Sequence, residues 1–275
     1  MSKESTSAKT GTFGRFLRAV LEDGHQNIQK CWQDLKPSHQ LPALVPFGPI
    51  DQTVWKNVKS PEAAKALLSC GFQVRDFENK PSLLAGCQEG MAPFFLSRGL
   101  NPLKEDENKR TPLFTARGHK NVRALLQAGD SVGRRDEYNN TPLHVIDNIE
   151  AAKALLRYAA DLDAKNAFGY TPLHVSSLHG PMEWKFAVLP EEGANANALT
   201  NNGKNVLQLL LDNWRIYVNK NAESITDKIR LLLKHGDCVT FVNEFGKGPM
   251  HDFATSPYFF VKDLYSKNKP PRRHF

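Results

Sequence analysis

Apolar residues return along this chain in short bursts separated by polar gaps. Over 141–158, Leu143 and Ile146 stand three residues apart, and Ala152, Leu155 and Leu156 fall on one side of a helical period. The spacing predicts two short helices. Thr141 opens the first as its cap, with Pro142 at the first helical position, where a missing N–H costs nothing. The second runs around Ala151–Tyr158, and "DLDAKNAFGY" after it is polar and turn-forming. No apolar run reaches the roughly 18 residues that cross a bilayer.

The pattern recurs. "EAAKALL" occurs at 62–68 and again at 150–156. "TPLF" at 111–114 and "TPLH" at 141–144 and 171–174 step by 30 residues, as do Asp76, Asp106 and Asp136. "PSLL" at 81–84, "KNVLQ" at 204–208 and "KGPMH" at 247–251 fit the same slot, and Trp55 of "TVWKNV" stands where the others have Leu. A helix-ending slot holds Gly71, Gly99, Gly129, Gly193 and Gly236, with Ala159 substituting once. The two EAAKALL copies are one scaffold helix in units three steps apart. Such a helix pair cannot bury its apolar face alone, so neighbours must cover it.

These residues, above all "DEYNNTPLH…AAKALLRYAADLDA" at 136–164 and "NAFGYTPLH…GANANA" at 166–198, resemble the ankyrin repeat. Three units run shorter than that family's 33 residues, "TARGHKN" at 115–121 closes a first helix early, and an insertion falls near 213–228. The resemblance implies an all-α ankyrin-repeat solenoid of six to seven degenerate helix-turn-helix units over 47–265. It also implies that the chain works as a protein-binding adaptor without catalysis, holding a protein ligand on a concave surface of hairpin tips and first helices. Carried over by position, the binding residues are Arg75, Phe77 and Lys80, then Arg110, then Arg135, Glu137, Tyr138 and Asn140. Lys165, Phe168 and Tyr170 follow, with Leu178 and His179 on a first helix, Lys204 on a later tip and Phe245 on the last. Tyr and Arg are favoured interface anchors. Asn197 fits the family's "G-A-x-x-N-A" slot, where the Asn makes a hairpin hydrogen bond. Degenerate arrays of this kind occur in eukaryotic regulators, poxviruses and secreted effectors of intracellular bacteria. Short, eroded units without a second recognisable domain point to the last, acting on a host protein in the host cytosol.

The ends read differently. Residues 1–12 are expected to be a flexible tail and 13–46 a helical cap with its linker. In that cap, Phe16, Ala19, Val20, Ile28, Cys31, Trp32 and Leu35 face the array. The net charge of +7 lies in residues 1–20 and in the basic tail 266–275, which leaves the body neutral. Docking of those tails to an anionic membrane or nucleic acid is one alternative function. An enzyme, or an enzyme-targeting subunit, with its site in the atypical ends is the other. No secretory signal is visible, so a cytoplasmic location is expected.

Catalytic and metal motifs are missing from the sequence. The cysteines Cys31, Cys70, Cys87 and Cys238 match no zinc spacing and read as reduced, mostly buried thiols. His144, His174 and His251 share one slot, which argues for one structural role, packing and hydrogen bonding, rather than ligation. No cofactor, metal or small-molecule substrate is expected, and the chain reads as a monomer.

Overall fold

The computed structural model describes residues 15–16, 18–22, 24–35, 54–74, 82–178, 183–217 and 222–235. Every regular element among them is helical. None is long and apolar enough to cross a membrane. The chain divides into two compact units, Met1–Ser131 and Val132–Phe275.

In the first unit, α1 (His25–Leu35) packs on α2 (Pro61–Ser69), and α3 (Ala92–Leu96) packs on α4 (Gly118–Gln127), which also meets the 3-10 turn Pro112–Thr115. Helix α2 shows how local chemistry sets an element. The Ser60 hydroxyl accepts the Ala63 N–H, Pro61 takes the first position, and Glu62 sits where the helix dipole favours an anion. Ala63, Ala64, Ala66 and Leu67 form its buried face. The expected cap residues Phe16, Ala19, Val20 and Ile28 are buried, whereas Cys31 and Trp32 are only half-buried; the side chain of Leu35 is not among those described. Phe16, Trp32 and Phe72 form an aromatic cluster with ring centroids 5.2–5.7 Å apart. Trp55 is buried in its Leu-like slot and donates from Nε1 to the Gln73 carbonyl.

A second device in this unit has no signature in the sequence. Asn121, on α4, is buried; its Oδ1 accepts the N–H groups of Gly90 and Ala92, and its Nδ2 donates to the carbonyls of Cys87 and Gln88. One amide therefore holds the turn that leads into α3.

The second unit contains α5 (Pro142–Val145), α6 (Ile149–Arg157), α7 (Pro172–Leu178), α8 (Glu183–Glu191), α9 (Val206–Tyr217) and α10 (Ala222–His235). Helix α7 packs against α5, α8 and α9, and α10 packs on α8 and α9. Leu143 and Ile146 are buried together, as the apolar spacing predicts. On α6 the buried face is Ala151, Ala152, Ala154 and Leu155, while Leu156 is half-exposed, so alanines take part of the place expected of that leucine. Ala159 ends α6 at φ 57°, the left-handed geometry that Gly193 adopts after α8 at φ 98°.

Lys185, on α8, is fully buried and donates from Nζ to the carbonyls of Leu143 and His144 at 3.2 and 2.7 Å. These carbonyls lie in α5, a helix too short to satisfy them internally. Burial pushes the Lys185 amine down to about 7, with Asp147 opposing the shift.

Candidate functional site

The candidate site is built from a five-residue loop found four times. Asp106, Asp136, Asn166 and Thr200 begin it, and in each case the backbone N–H of the first residue donates to the carbonyl of the fifth, at 2.9–3.0 Å. The side-chain oxygen of the first residue turns inward. Asp106 Oδ1 accepts from the backbones of Asn108 and Arg110, Asp136 Oδ1 from Tyr138 and Asn140, and Asn166 Oδ1 from Phe168 and Tyr170, all at 2.8–3.0 Å. Thr200 Oγ1 keeps one such bond, from Lys204 N–H. The fourth position is left-handed in every copy: Lys109, Asn139, Gly169 and Gly203 at φ 60–76°. Glycine is required at 169 for a second reason, because a side chain there would run into Asn201.

The Asp side chains thus act as turn acceptors, as expected of Asp106 and Asp136; Asp76 lies outside the described residues. The aspartate series stops at Asp136, yet Asn166, 30 residues further on, continues the same loop. The backbone of the loop bonds only Oδ1, which an amide also offers, while Asp136 Oδ2 accepts from Asn140 Nδ2.

Within the second unit three of these loops form a row. The Tyr138 carbonyl accepts the Ala167 N–H at 3.0 Å, and the Phe168 carbonyl accepts the Asn201 N–H at 3.3 Å. Asn166 Nδ2 donates to Asn140 Oδ1, and Asn201 Nδ2 to the Ala167 carbonyl. Arg135 Nη1 donates to the carbonyls of Asn139 and Lys165 at 2.7 and 2.9 Å, so one guanidinium spans two loops. The backbone of the row is held from inside and from loop to loop, which leaves side chains as its display.

Two buried histidines support the row. The Thr141 N–H donates to His144 Nδ1 at 3.0 Å, which makes Nδ1 an acceptor and puts the proton on Nε2. Nε2 then donates to the Tyr170 carbonyl at 2.9 Å. His174 repeats the first contact with Thr171, but its Nε2 has no hydrogen-bond partner among the described residues. Burial pushes both imidazoles down to about 4. The backbone of Tyr170 opposes the shift at His144. Neutral, buried imidazoles fit the structural role read from their shared slot. His251 lies outside the described residues.

The candidate binding residues divide as follows. Tyr138 and Phe168 project from the row at 45% and 55% exposure, large values for rings of this size. Arg135, Glu137 and Lys165 are exposed, and Asn140 is half-buried against Asn166. Tyr170 is also half-buried, 6.0 Å from the Phe168 ring and stacked on His174 at 6.1 Å, so it backs the display. Lys204 is half-buried and pairs with Asp212. Leu178 is half-buried on α7. Arg110 belongs to the loop in the first unit, where its backbone closes the turn. Arg75, Phe77, Lys80, His179 and Phe245 lie outside the described residues, as do the tails. Asn197 departs from its expected role. Its backbone N–H donates to Asn195 Oδ1, while its own Oδ1 is buried without a partner among the described residues.

Cys87 is buried, and its thiol is pushed up to about 12 by desolvation, far from the thiolate a nucleophile needs. Cys31 and Cys70 are half-exposed rather than buried, and Cys238 is not described. No group of three metal-capable side chains occurs among the described residues. No family model matches the chain, and no curated protein matches it at a significant level.

Proposed function

We propose that this chain is a non-enzymatic protein-interaction scaffold built from ankyrin-type units, and that it holds a protein ligand along the row of loops 136–140, 166–170 and 200–204. The observation that carries the reading is the row itself. Its backbone groups are bonded inward and sideways, yet it presents two large aromatic rings to water. Rings of that size, 45% and 55% exposed on a rigid frame, keep apolar surface in water, which a binding surface explains. The all-helical architecture, the paired short helices and the left-handed helix ends agree with stacked units of one kind, which would form a solenoid.

The test is quantitative capture from lysate with the full chain and with the double variant Tyr138→Ala, Phe168→Ala. Both positions are exposed, so the variant should keep the parent's circular dichroism and melting temperature. A bound protein depleted by at least about tenfold supports the reading, since an aromatic anchor contributes about 2 kcal/mol or more. A capture profile that is unchanged with a folded variant removes it.

A further inference from the structure

The row carries a charge signature beside its rings. Arg135 and Lys165 are exposed, each directly before one of two neighbouring loops, and neither has an ion-pair partner among the described residues. Their positive charge is felt inside the protein, because Arg135 and Lys165 help to depress the protonation of His144 and His174 respectively. Of the two acidic residues in these loops, Asp136 is buried and bonded to backbone, which leaves Glu137 as the exposed one. Among the unit's other described acidic side chains, Glu150, Asp212 and Asp227 pair with Lys153, Lys204 and Arg230, while Asp161 and Asp163 accept the backbone N–H groups of Asp163 and Asn195. A surface that sorts its charges in this way attracts the opposite sign.

We infer that the partner segment seated on this row is an acidic peptide, with carboxylates against Arg135 and Lys165 and an apolar or aromatic side chain against Tyr138 and Phe168. This inference rests on the docking reading above and adds the chemistry of the ligand. Three features favour a peptide over a nucleic acid. The exposed basic side chains are two rather than a stripe, Glu137 stands among them, and Lys204 is already neutralised by Asp212. Guanidinium and carboxylate also match in geometry, and Arg135 is held in place by the Asn139 and Lys165 carbonyls before any ligand arrives.

The experiment selects phage-displayed random dodecapeptides on the full chain and measures the fluorescein-labelled consensus peptide by anisotropy. Enrichment of Asp and Glu around one apolar residue is expected, with affinity falling at least about tenfold in Arg135→Glu, Lys165→Glu and weakening as salt rises. Lys165→Glu alone leaves the Arg135 hydrogen bonds to backbone in place, so it keeps the test valid if the double variant fails to fold; a severalfold loss is expected. Consensus peptides without acidic residues overturn the inference, as does an acidic peptide indifferent to charge reversal. If binding still depends on Tyr138 and Phe168 in that case, the docking reading survives and only the acidic chemistry falls. Selected peptides indifferent to rings and charges alike remove both. Labelled oligouridine that binds more tightly than the peptide, and is lost on charge reversal, makes the row a nucleic-acid site instead and also overturns the inference.

Discussion

His144 Nε2 lies 2.9 Å from the carbonyl oxygen of Tyr170, and that contact joins the first turn of α5 to the end of the next loop. The same ring takes the Thr141 N–H on Nδ1, so the imidazole bridges only while neutral. Protonating it would turn Nδ1 from acceptor to donor and set it against an amide hydrogen.

A pH dependence follows. His144 and His174 have folded values of about 4 against 6.5 unfolded. Between these values the unfolded chain binds protons that the folded chain does not, so stability falls as pH drops from 6.5 toward 4. Each histidine contributes on the order of 3 kcal/mol to the total loss, at about 1.4 kcal/mol for every tenfold change in proton affinity. Urea melts across that range should show the slope, and His144→Gln should reduce it by about half. A flat profile in the parent would contradict the buried neutral assignment.

Lys185 gives a window at the other side of neutrality. Its folded value of about 7 lies below the unfolded 10.5, so the unfolded chain again holds the extra proton between the two. Stability contributed by this group therefore rises as pH climbs from 7 toward 10.5. Lys185→Met should flatten that rise relative to the parent. Equal slopes in the two proteins would mean that the amine is solvated when folded. No sequence pattern announces this lysine, because nothing in "EWKFAVLP" sets it apart from a surface lysine.

The left-handed positions offer a gain in stability. Lys109 and Asn139 adopt φ 60° and 62°, a conformation costing an L-residue roughly 1 kcal/mol or more. Replacing Lys109 with Gly should raise stability by about 0.5 kcal/mol after glycine's greater unfolded entropy is counted. Gly169→Ala should do the reverse and by more, since its side chain would meet Asn201 as well. Thermal melts of the two variants moving in the same direction would refute this geometry.

The inward acceptors can be tested separately from the display. Asp136→Ala removes bonds from Tyr138 and Asn140 N–H groups. A loss of about 2 kcal/mol is expected, with faster amide exchange concentrated in residues 137–140. Exchange spread evenly over the unit would show that the loop depends on other contacts.

Thiol reactivity should separate the cysteines. Brief alkylation at about pH 8 followed by peptide mapping should label the half-exposed Cys31 and Cys70 and spare Cys87, whose thiol stays protonated. Rapid labelling of Cys87 in the folded chain would contradict its burial.

The sequence is most informative where one residue type answers one backbone demand. The 30-residue steps locate the loops through Asp106 and Asp136, and the helix-ending slot foretells the left-handed turn even at Ala159. Thr141 with Pro142 marks the start of α5. Contacts that depend on tertiary packing stay invisible. Asn121 and Lys185 reach 29 or more residues back along the chain to their carbonyl or amide partners; each stands eight residues before a helix-ending glycine, Gly129 and Gly193, but an amide and an amine share no residue type that would mark the slot. Tyr138 and Tyr170 look equivalent as aromatic loop residues, yet one faces water and the other lies on an imidazole. That difference follows from position in the loop: the fifth residue feeds the next helix, and the third stands at the tip.

In each loop the first residue supplies the acceptor and the fourth supplies the left-handed turn. The third lends its backbone N–H and carbonyl to these bonds but not its side chain, so changing Tyr138 or Phe168 leaves those backbone bonds in place. On the proposed binding role, a chain organised in this way would drift in specificity while its architecture stands still. A combinatorial library confined to positions 137, 138, 167, 168 and 202 would explore new ligands from a single unaltered frame.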